Sequence, residues 1–233
     1  MGNIRHHINE RLSSEVRTRA PAFRVAILAW EQANARDYPW RRPGTSPFGV
    51  LVAETLLKRT TATAAARVYP SIMNKYPDLY ALTIASEEAI SEDLVTIGLQ
   101  VQRARDLKKL AEYVGEAEGG QIPNDVERLL KIPGLGPYSA RAILSFAYGV
   151  RAAVVDSNVE RVIRRVFGNY IPEKTSHESF QEIADELLPE ACHRDFNFGL
   201  LDLGAAICRY IRPKCSQCPV ASICDCAVLD MAK

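Results

Sequence analysis

Four cysteines near the C-terminus constrain this chain more than any other feature: Cys208, then six residues, Cys215, two, Cys218, five, and Cys224. Thiolates spaced this closely bind a soft metal centre from one compact loop, so the backbone around them must double back within a few residues. Pro213 and Pro219 stiffen the connections, and Arg209, Arg212 and Lys214 place positive charge beside the sulfurs. Cationic neighbours are expected to lower thiol pKa values and offset the negative charge of a bound centre. Spacing alone leaves structural zinc and an iron–sulfur centre both open, because each uses four thiolates. A disulfide framework is disfavoured in 233 residues without a secretory signal, and the six cysteines point to a reducing compartment. Cys192 and Cys226 fall outside the spacing and read as plain thiols.

The remainder of the sequence is helical in pattern. Apolar residues recur at helical spacing in Phe23–Ala35, Phe48–Val68, Ile90–Ile97, Ala104–Val114, Val126–Leu130, Tyr138–Phe146, Val159–Phe167, Phe180–Leu188 and Asn197–Ile207. Turn pairs such as Pro43-Gly44, Gly119-Gly120 and Pro123-Asn124 separate them, and Asn124 or Asp125 is placed to cap the helix starting near Val126. Strand signals are scarce, so the expected fold is all-α. No apolar run reaches the length of a membrane span, and Met1 to Arg19 is a polar lead-in, expected to fray, with no apolar signal core. A cytoplasmic location is therefore expected. The net charge of +1 does not advertise a nucleic-acid binder, although base gathers at Arg103–Lys109, Arg161–Arg165 and Arg209–Lys214. Such runs are either solvated helix faces or parts of a basic surface, and charge alone does not choose.

The sharpest local pattern is Leu129-Leu130-Lys131-Ile132-Pro133-Gly134-Leu135-Gly136-Pro137-Tyr138-Ser139-Ala140. An apolar helix end runs into Pro-Gly-Leu-Gly, and Pro137 opens a second helix at a tolerated first-turn position. Gly134 and Gly136 leave backbone N–H groups uncovered at a helix N-terminus, where a phosphate binds well, and Leu135 is expected to plug the helix–helix interface. This is a helix-hairpin-helix signature for gripping a DNA backbone without reading sequence, with Ser139 and Lys131 as further phosphate contacts. Downstream, Asp156 follows the apolar run Ala152-Ala153-Val154-Val155 and precedes a new helix. It reads either as an N-cap or as a carboxylate able to stabilise a sugar cation and orient water. Upstream, Glu54 sits inside an otherwise apolar helix, where an unpaired carboxylate is costly, so either a salt bridge or a functional role must explain it.

Hairpin, aspartate and four-cysteine loop stand in one order from about Phe23 to Cys224, and together they resemble the helix-hairpin-helix DNA glycosylase superfamily in its iron–sulfur branch. That branch includes endonuclease III and the adenine mismatch glycosylase. The resemblance implies two helical lobes, with a 4Fe-4S cluster on Cys208, Cys215, Cys218 and Cys224. It further implies Asp156 as the essential carboxylate and mismatched double-stranded DNA as the partner of a monomeric enzyme. The lobes are expected as residues 23–132, mainly a six-helix barrel-like lobe, and 133–233, holding the second hairpin helix, the aspartate and the cluster. Residues 1–22 are expected to pack with the cluster lobe.

Within that branch, a lysine on the second hairpin helix forms an imine with the sugar in bifunctional members; Tyr138 stands at the matching position and cannot. The expectation is a monofunctional enzyme that uses water. Glu54 matches the glutamate that protonates adenine in the adenine glycosylases, but Lys58-Arg59-Thr60 replaces their Gln-Gln-Thr. That departure, with Arg36-Asp37-Tyr38-Pro39-Trp40-Arg41, Arg194-Asp195-Phe196-Asn197-Phe198-Gly199-Leu200 and Gly98-Leu99-Gln100-Val101-Gln102-Arg103-Ala104, looks like the G/T-mismatch thymine-DNA glycosylases. Only nine residues follow Cys224, too few for the 8-oxoguanine reader that adenine glycosylases append. The resemblance thus implies removal of thymine and uracil opposite guanine, with adenine opposite guanine or 8-oxoguanine as the alternative. A non-catalytic mismatch-binding protein is the rival of another class, and it has no need of both carboxylates. Lys58 joins the expected DNA contacts, and Arg59, Leu99 and Gln100 are the candidates to fill the gap left by a flipped nucleotide.

Overall fold

The computed structural model describes residues 2–227, and every regular element among them is helical. Two compact units share the chain: one runs from the N-terminal side to Ala35 and resumes at Arg151, and the other is Arg36–Val150. Helix α1 (Gly2–Asn34) opens the first unit. The second holds α2 (Pro47–Leu57), α3 (Ala62–Lys75), α4 (Leu79–Ile84), α5 (Glu87–Asp93), α6 (Gln100–Ala117), α7 (Val126–Leu129) and α8 (Pro137–Phe146). The first unit is completed by α9 (Ser157–Val166), α10 (His177–Leu187) and α11 (His193–Ala206). No helix among the described residues is long and apolar enough to cross a membrane.

Polar side chains set where these helices begin. Ser46, Thr61, Asp78, Ser86, Asp125, Asp156 and Ser176 each accept a hydrogen bond from an N–H of the following first turn, satisfying donors that the helix itself cannot. Helix α2 carries no such polar face further along. Every residue from Phe48 to Leu56 is buried, which makes it the central helix of its unit, with α3, α6 and α8 packed around it.

The structure departs from the sequence reading in four places. The segment expected to fray is helical over its described residues, Gly2 onward; Leu12, Val16, Ala20, Phe23 and Ile27 form one buried stripe that carries the helix into it, and Met1 lies outside the described residues. The single apolar run Phe48–Val68 is two helices, α2 and α3. Their break at Lys58–Thr61 has no glycine or proline to announce it; instead Arg59 takes a left-handed φ of 54° and Thr61 caps α3. The run Ile90–Ile97 is likewise divided, since α5 ends at Asp93 and a 3₁₀ turn follows over Val95–Ile97. The boundary expected between residues 132 and 133 falls inside Arg36–Val150, because α8 packs on α2, whereas the helix containing Phe23 belongs to the other unit.

That assignment of α1 follows from its contacts. Phe23 meets Phe167 and Phe196 with ring centroids 6.2 and 6.0 Å apart. Arg24 donates to the carbonyls of Leu187 (2.9 Å) and Glu186 (2.7 Å), closing the C-terminal end of α10, where cations are favoured. Arg19 donates to Val166 O (3.1 Å), Ile223 O (3.2 Å) and Asp225 Oδ1 (2.7 Å), tying α1 to the end of α9 and to the turn that carries Cys224. Gly199 lets α11 approach α1 closely: a Cβ there would stand 2.9 Å from Glu31 Cβ and 3.0 Å from Ile27 Cγ2. Gly199→Ala is therefore expected to destabilise the protein by about 1–3 kcal/mol in urea unfolding. Gly115→Ala, on α6 with no atom within 4 Å of the new methyl, is expected to stabilise it by about 0.5 kcal/mol.

Candidate active site

The hairpin forms where the sequence pattern puts it. Ile132 N donates to Leu129 O and Leu135 N to Ile132 O, both at 3.1 Å, so the chain tightens out of α7 before turning. Gly134 supplies a left-handed φ of 82°, and Gly136, extended at φ −108°, precedes Pro137 at the start of α8. Leu135 is buried in the turn. The first-turn N–H of Ser139 lies outside the intrahelical ladder of α8 by helix geometry, at a helix N-terminus that suits an anion. Lys131 is exposed on the turn, and Tyr138 is half-buried.

Helix α2 holds this hairpin at two polar points. The Glu54 carboxylate, 6% exposed, accepts a hydrogen bond from Ser139 Oγ through Oε2 at 3.2 Å. Lys58 Nζ, at the end of the same helix, donates to Gly134 O at 2.9 Å and lies 3.7 Å from Asp106 Oδ2. Lys58, expected as a DNA contact, thus has partners inside its own unit, and Ser139 is a partner of Glu54 as well as a hairpin residue.

Arg59 and Leu99 share an unusual backbone. Both are exposed, and both adopt left-handed dihedrals, φ 54° and 52°, that cost a side-chain-bearing residue about 1–2 kcal/mol. Gly98, at φ 68°, turns the chain just before Leu99, and Gln100 begins α6 half-buried. The sequence reading overlooked the residue that joins these loops. Arg103, in a basic run that charge alone leaves open as solvated face or basic surface, is 2% exposed. Its guanidinium donates to Ile97 O (3.2 Å), Gly98 O, Lys58 O and Thr60 Oγ1. Burial lowers its pKa from the ordinary arginine value. The signal available in the sequence was its place three residues after Gln100, on the helix face that returns toward the preceding turn.

Asp156 lies in the other unit as the N-cap of α9. Its Oδ1 accepts from Asn158 N (2.9 Å) and Val159 N (2.8 Å), and its Oδ2 from Asn158 Nδ2 (2.7 Å). Asn158 Oδ1 accepts in turn from Arg161 Nη2 (2.8 Å), while Arg161 Nε donates to Cys208 O at 2.8 Å. The capping role is therefore real, and the carboxylate is held on both oxygens. Arg161 has no local mark of this role, because its backbone acceptors, Gly204 O and Cys208 O, come from α11 and the loop beyond it.

Cys208, Cys215, Cys218 and Cys224 line one apolar cavity walled by Val162, Leu203, Ile207 and Val220. All are free thiols, and Cys226 reaches the same cavity. Burial pushes the Cys218 thiol up to about 11, reinforced by its three cysteine neighbours, and burial also raises Cys224. The lowering expected from Arg209, Arg212 and Lys214 does not occur at Cys218 or Cys224; Arg165 Nη1 lies 3.4 Å from Cys208 Sγ. Among the described residues no three His, Cys, Asp or Glu side chains are grouped to hold a single metal ion. Four sulfurs around a shared apolar space, with a guanidinium on one of them, suit a larger thiolate-bound centre.

Residues 52–190, which contain Glu54, the hairpin and Asp156, match the profile of the HhH-GPD superfamily base excision DNA repair proteins. The chain belongs to this superfamily. It is 37% identical over 204 residues to the thymine/uracil-DNA glycosylase of Methanothermobacter thermautotrophicus, covering 87% of this chain and 92% of that one. It is 35% identical over 199 residues to the adenine DNA glycosylase of Mycobacterium tuberculosis, of which it spans 64%. The solved structure of a thermostable thymine-DNA glycosylase superposes with a TM-score of 0.86 at 36% identity, covering 91% of this chain and 98% of the other.

In an HhH-GPD hairpin of this geometry the two glycines are not equivalent. Gly134→Ala forces a methyl onto a left-handed residue, 3.4 Å from Lys58 Nζ, and is expected to cost about 1 kcal/mol or more of stability. Gly136→Ala, with ordinary dihedrals and open space around the new methyl, is expected to unfold within about 0.5 kcal/mol of the parent. Urea titrations of both variants check the asymmetry.

Proposed function

We propose that this chain is a monofunctional DNA glycosylase that releases thymine and uracil opposite guanine in duplex DNA, acting as a monomer. The observation that carries the reading is the 37% identity to a thymine/uracil-DNA glycosylase along nearly the whole of both chains. The hairpin N–H groups around Gly134, Gly136 and Ser139 hold phosphates, with Lys131 adding salt-dependent affinity. The target nucleotide leaves the stack at a cost that is least at a mismatch, and Arg59, Leu99 and Gln100 fill the space it vacates.

Water then displaces the base. A C1′–O bond forms as the C1′–N1 bond breaks; the electron pair departs with the base, which takes up a proton, and the attacking water loses one. Asp156 stabilises the positive charge that develops on the sugar and orients the water. Thymine leaves well as an anion, so Glu54 recognises the polar edge of the base more than it drives departure. Tyr138 lines the base pocket and offers no amine for imine formation, which leaves the DNA backbone intact. Cys208, Cys215, Cys218 and Cys224 would hold a 4Fe-4S cluster. When bound it supplies a rigid cross-link for the C-terminal loop rather than chemistry for glycosidic hydrolysis.

Labelled duplexes carrying G·T, G·U, A·G and A·8-oxoguanine, treated with alkali after incubation, test the substrate. Cleavage is expected at G·T and G·U, and products from the adenine duplexes alone overturn the choice of base. Asp156→Asn separates capping from chemistry. Asparagine keeps the capping oxygen but cannot accept from Asn158 Nδ2, so stability is expected to fall by about 1–2 kcal/mol, leaving the protein folded. Base release is expected to fall at least about a hundredfold, with DNA binding largely kept. Turnover retained by that variant contradicts the role given to Asp156. Tyr138→Lys is expected to gain a borohydride-trappable adduct, and efficient trapping by the parent protein contradicts the monofunctional assignment.

A further inference from the structure

Two exposed residues in one unit carry left-handed backbones without being glycine in the loops before and after which α3 and α6 diverge: Arg59 at φ 54° and Leu99 at φ 52°. Backbone strain of this kind persists only where the surroundings impose it. One side chain reaches both turns. Arg103 spans both loops, donating to Lys58 O and Thr60 Oγ1 on one side and to Ile97 O and Gly98 O on the other. Thr60 Oγ1 also donates to Ile97 O at 3.4 Å, so the two turns are joined directly as well as through the guanidinium. Lys58, between these turns and the hairpin, extends the link to Gly134 O.

The arrangement is a poor one for stability alone. Arg103 is 2% exposed, its acceptors are carbonyls and a hydroxyl rather than a carboxylate, and its Nε has no hydrogen-bond partner. Burying a cation this way is expensive, and a hydrophobic residue would normally do as well in a core. Only a planar fork with several donors can bridge four acceptors on two loops, which lysine cannot do. We infer that Arg103 is a positioning residue that locks the 58–60 and 97–99 turns together, so that Arg59 and Leu99 are presented as one rigid wedge to the DNA stack. It touches no DNA itself. The inference rests on the glycosylase reading above for the wedge's purpose, but the clamp can be examined apart from it.

Two substitutions and two readouts test this. Arg103→Lys keeps the charge and loses the fork; Thr60→Val, milder and exposed to less risk of misfolding, removes one acceptor. Amide hydrogen exchange is expected to rise over residues 58–60 and 97–99 together in both variants. A rise confined to one turn, or none, overturns the clamp. Single-turnover base release is then compared for uracil opposite guanine and for uracil opposite an abasic-site analogue, where little pairing must be broken. Arg103→Lys is expected to slow the paired target about tenfold or more and the unpaired one by no more than about twofold, with Thr60→Val intermediate. Equal losses on both targets, or no loss on either, overturn the wedge-positioning role. If the parent protein releases no base from either duplex while exchange in the two turns remains coupled, the glycosylase reading fails and the clamp stands.

Discussion

Burial of α2 on every side is the constraint from which the rest of the Arg36–Val150 unit follows. A helix with no solvated face must be surrounded, and α3, α6 and α8 do so. Its one carboxylate is then confined: Glu54 accepts from Ser139 on α8, and Lys58 at the helix end reaches Gly134 in the hairpin. The hairpin turn is thus held against the central helix by polar contacts with defined geometry, as well as by apolar packing around Leu129, Ile132 and Leu135. A polar pair inside an apolar environment specifies one register more strictly than hydrophobic contact alone.

The other unit is organised by α1 and by arginines. Phe23 and Ile27 supply the apolar contact, while Arg19 and Arg24 satisfy carbonyls at the ends of α9 and α10. A series of hydrogen bonds runs from Asp156 through Asn158 and Arg161 to the carbonyl of Cys208. The cysteine loop and the carboxylate therefore belong to one connected piece of structure, although the loop offers no group that hydrolysis requires. Gly204 belongs to the same arrangement, since a Cβ there would stand 2.7 Å from Asn158 Cβ.

Much of this was legible in the residues. Pro-Gly-Leu-Gly between helical runs fixed the hairpin because few other conformations suit that set of dihedrals, and Asp125 and Asp156 announced their helices as caps do. The four cysteines of the spacing line one cavity. Three features stayed hidden for physical reasons. The turn after α2 contains neither glycine nor proline, so hydrophobic period ran through it. Nothing local marks Arg103 as the buried member of its basic run, because half of its acceptors come from the 58–60 turn, 43 to 45 residues away. The Cys218 and Cys224 thiols rise rather than fall because desolvation in an apolar cavity disfavours their charged forms. Each omission concerns a tertiary contact that no local window contains.

The central claim is hydrolysis of one N-glycosidic bond to a pyrimidine, with the backbone left intact. The mass of the DNA strand after single turnover on a G·T duplex tests it most directly. The expected result is free thymine together with an unbroken strand in which a hydroxyl has replaced that base. An unchanged strand, a strand lacking adenine, or a strand broken at the sugar would contradict it.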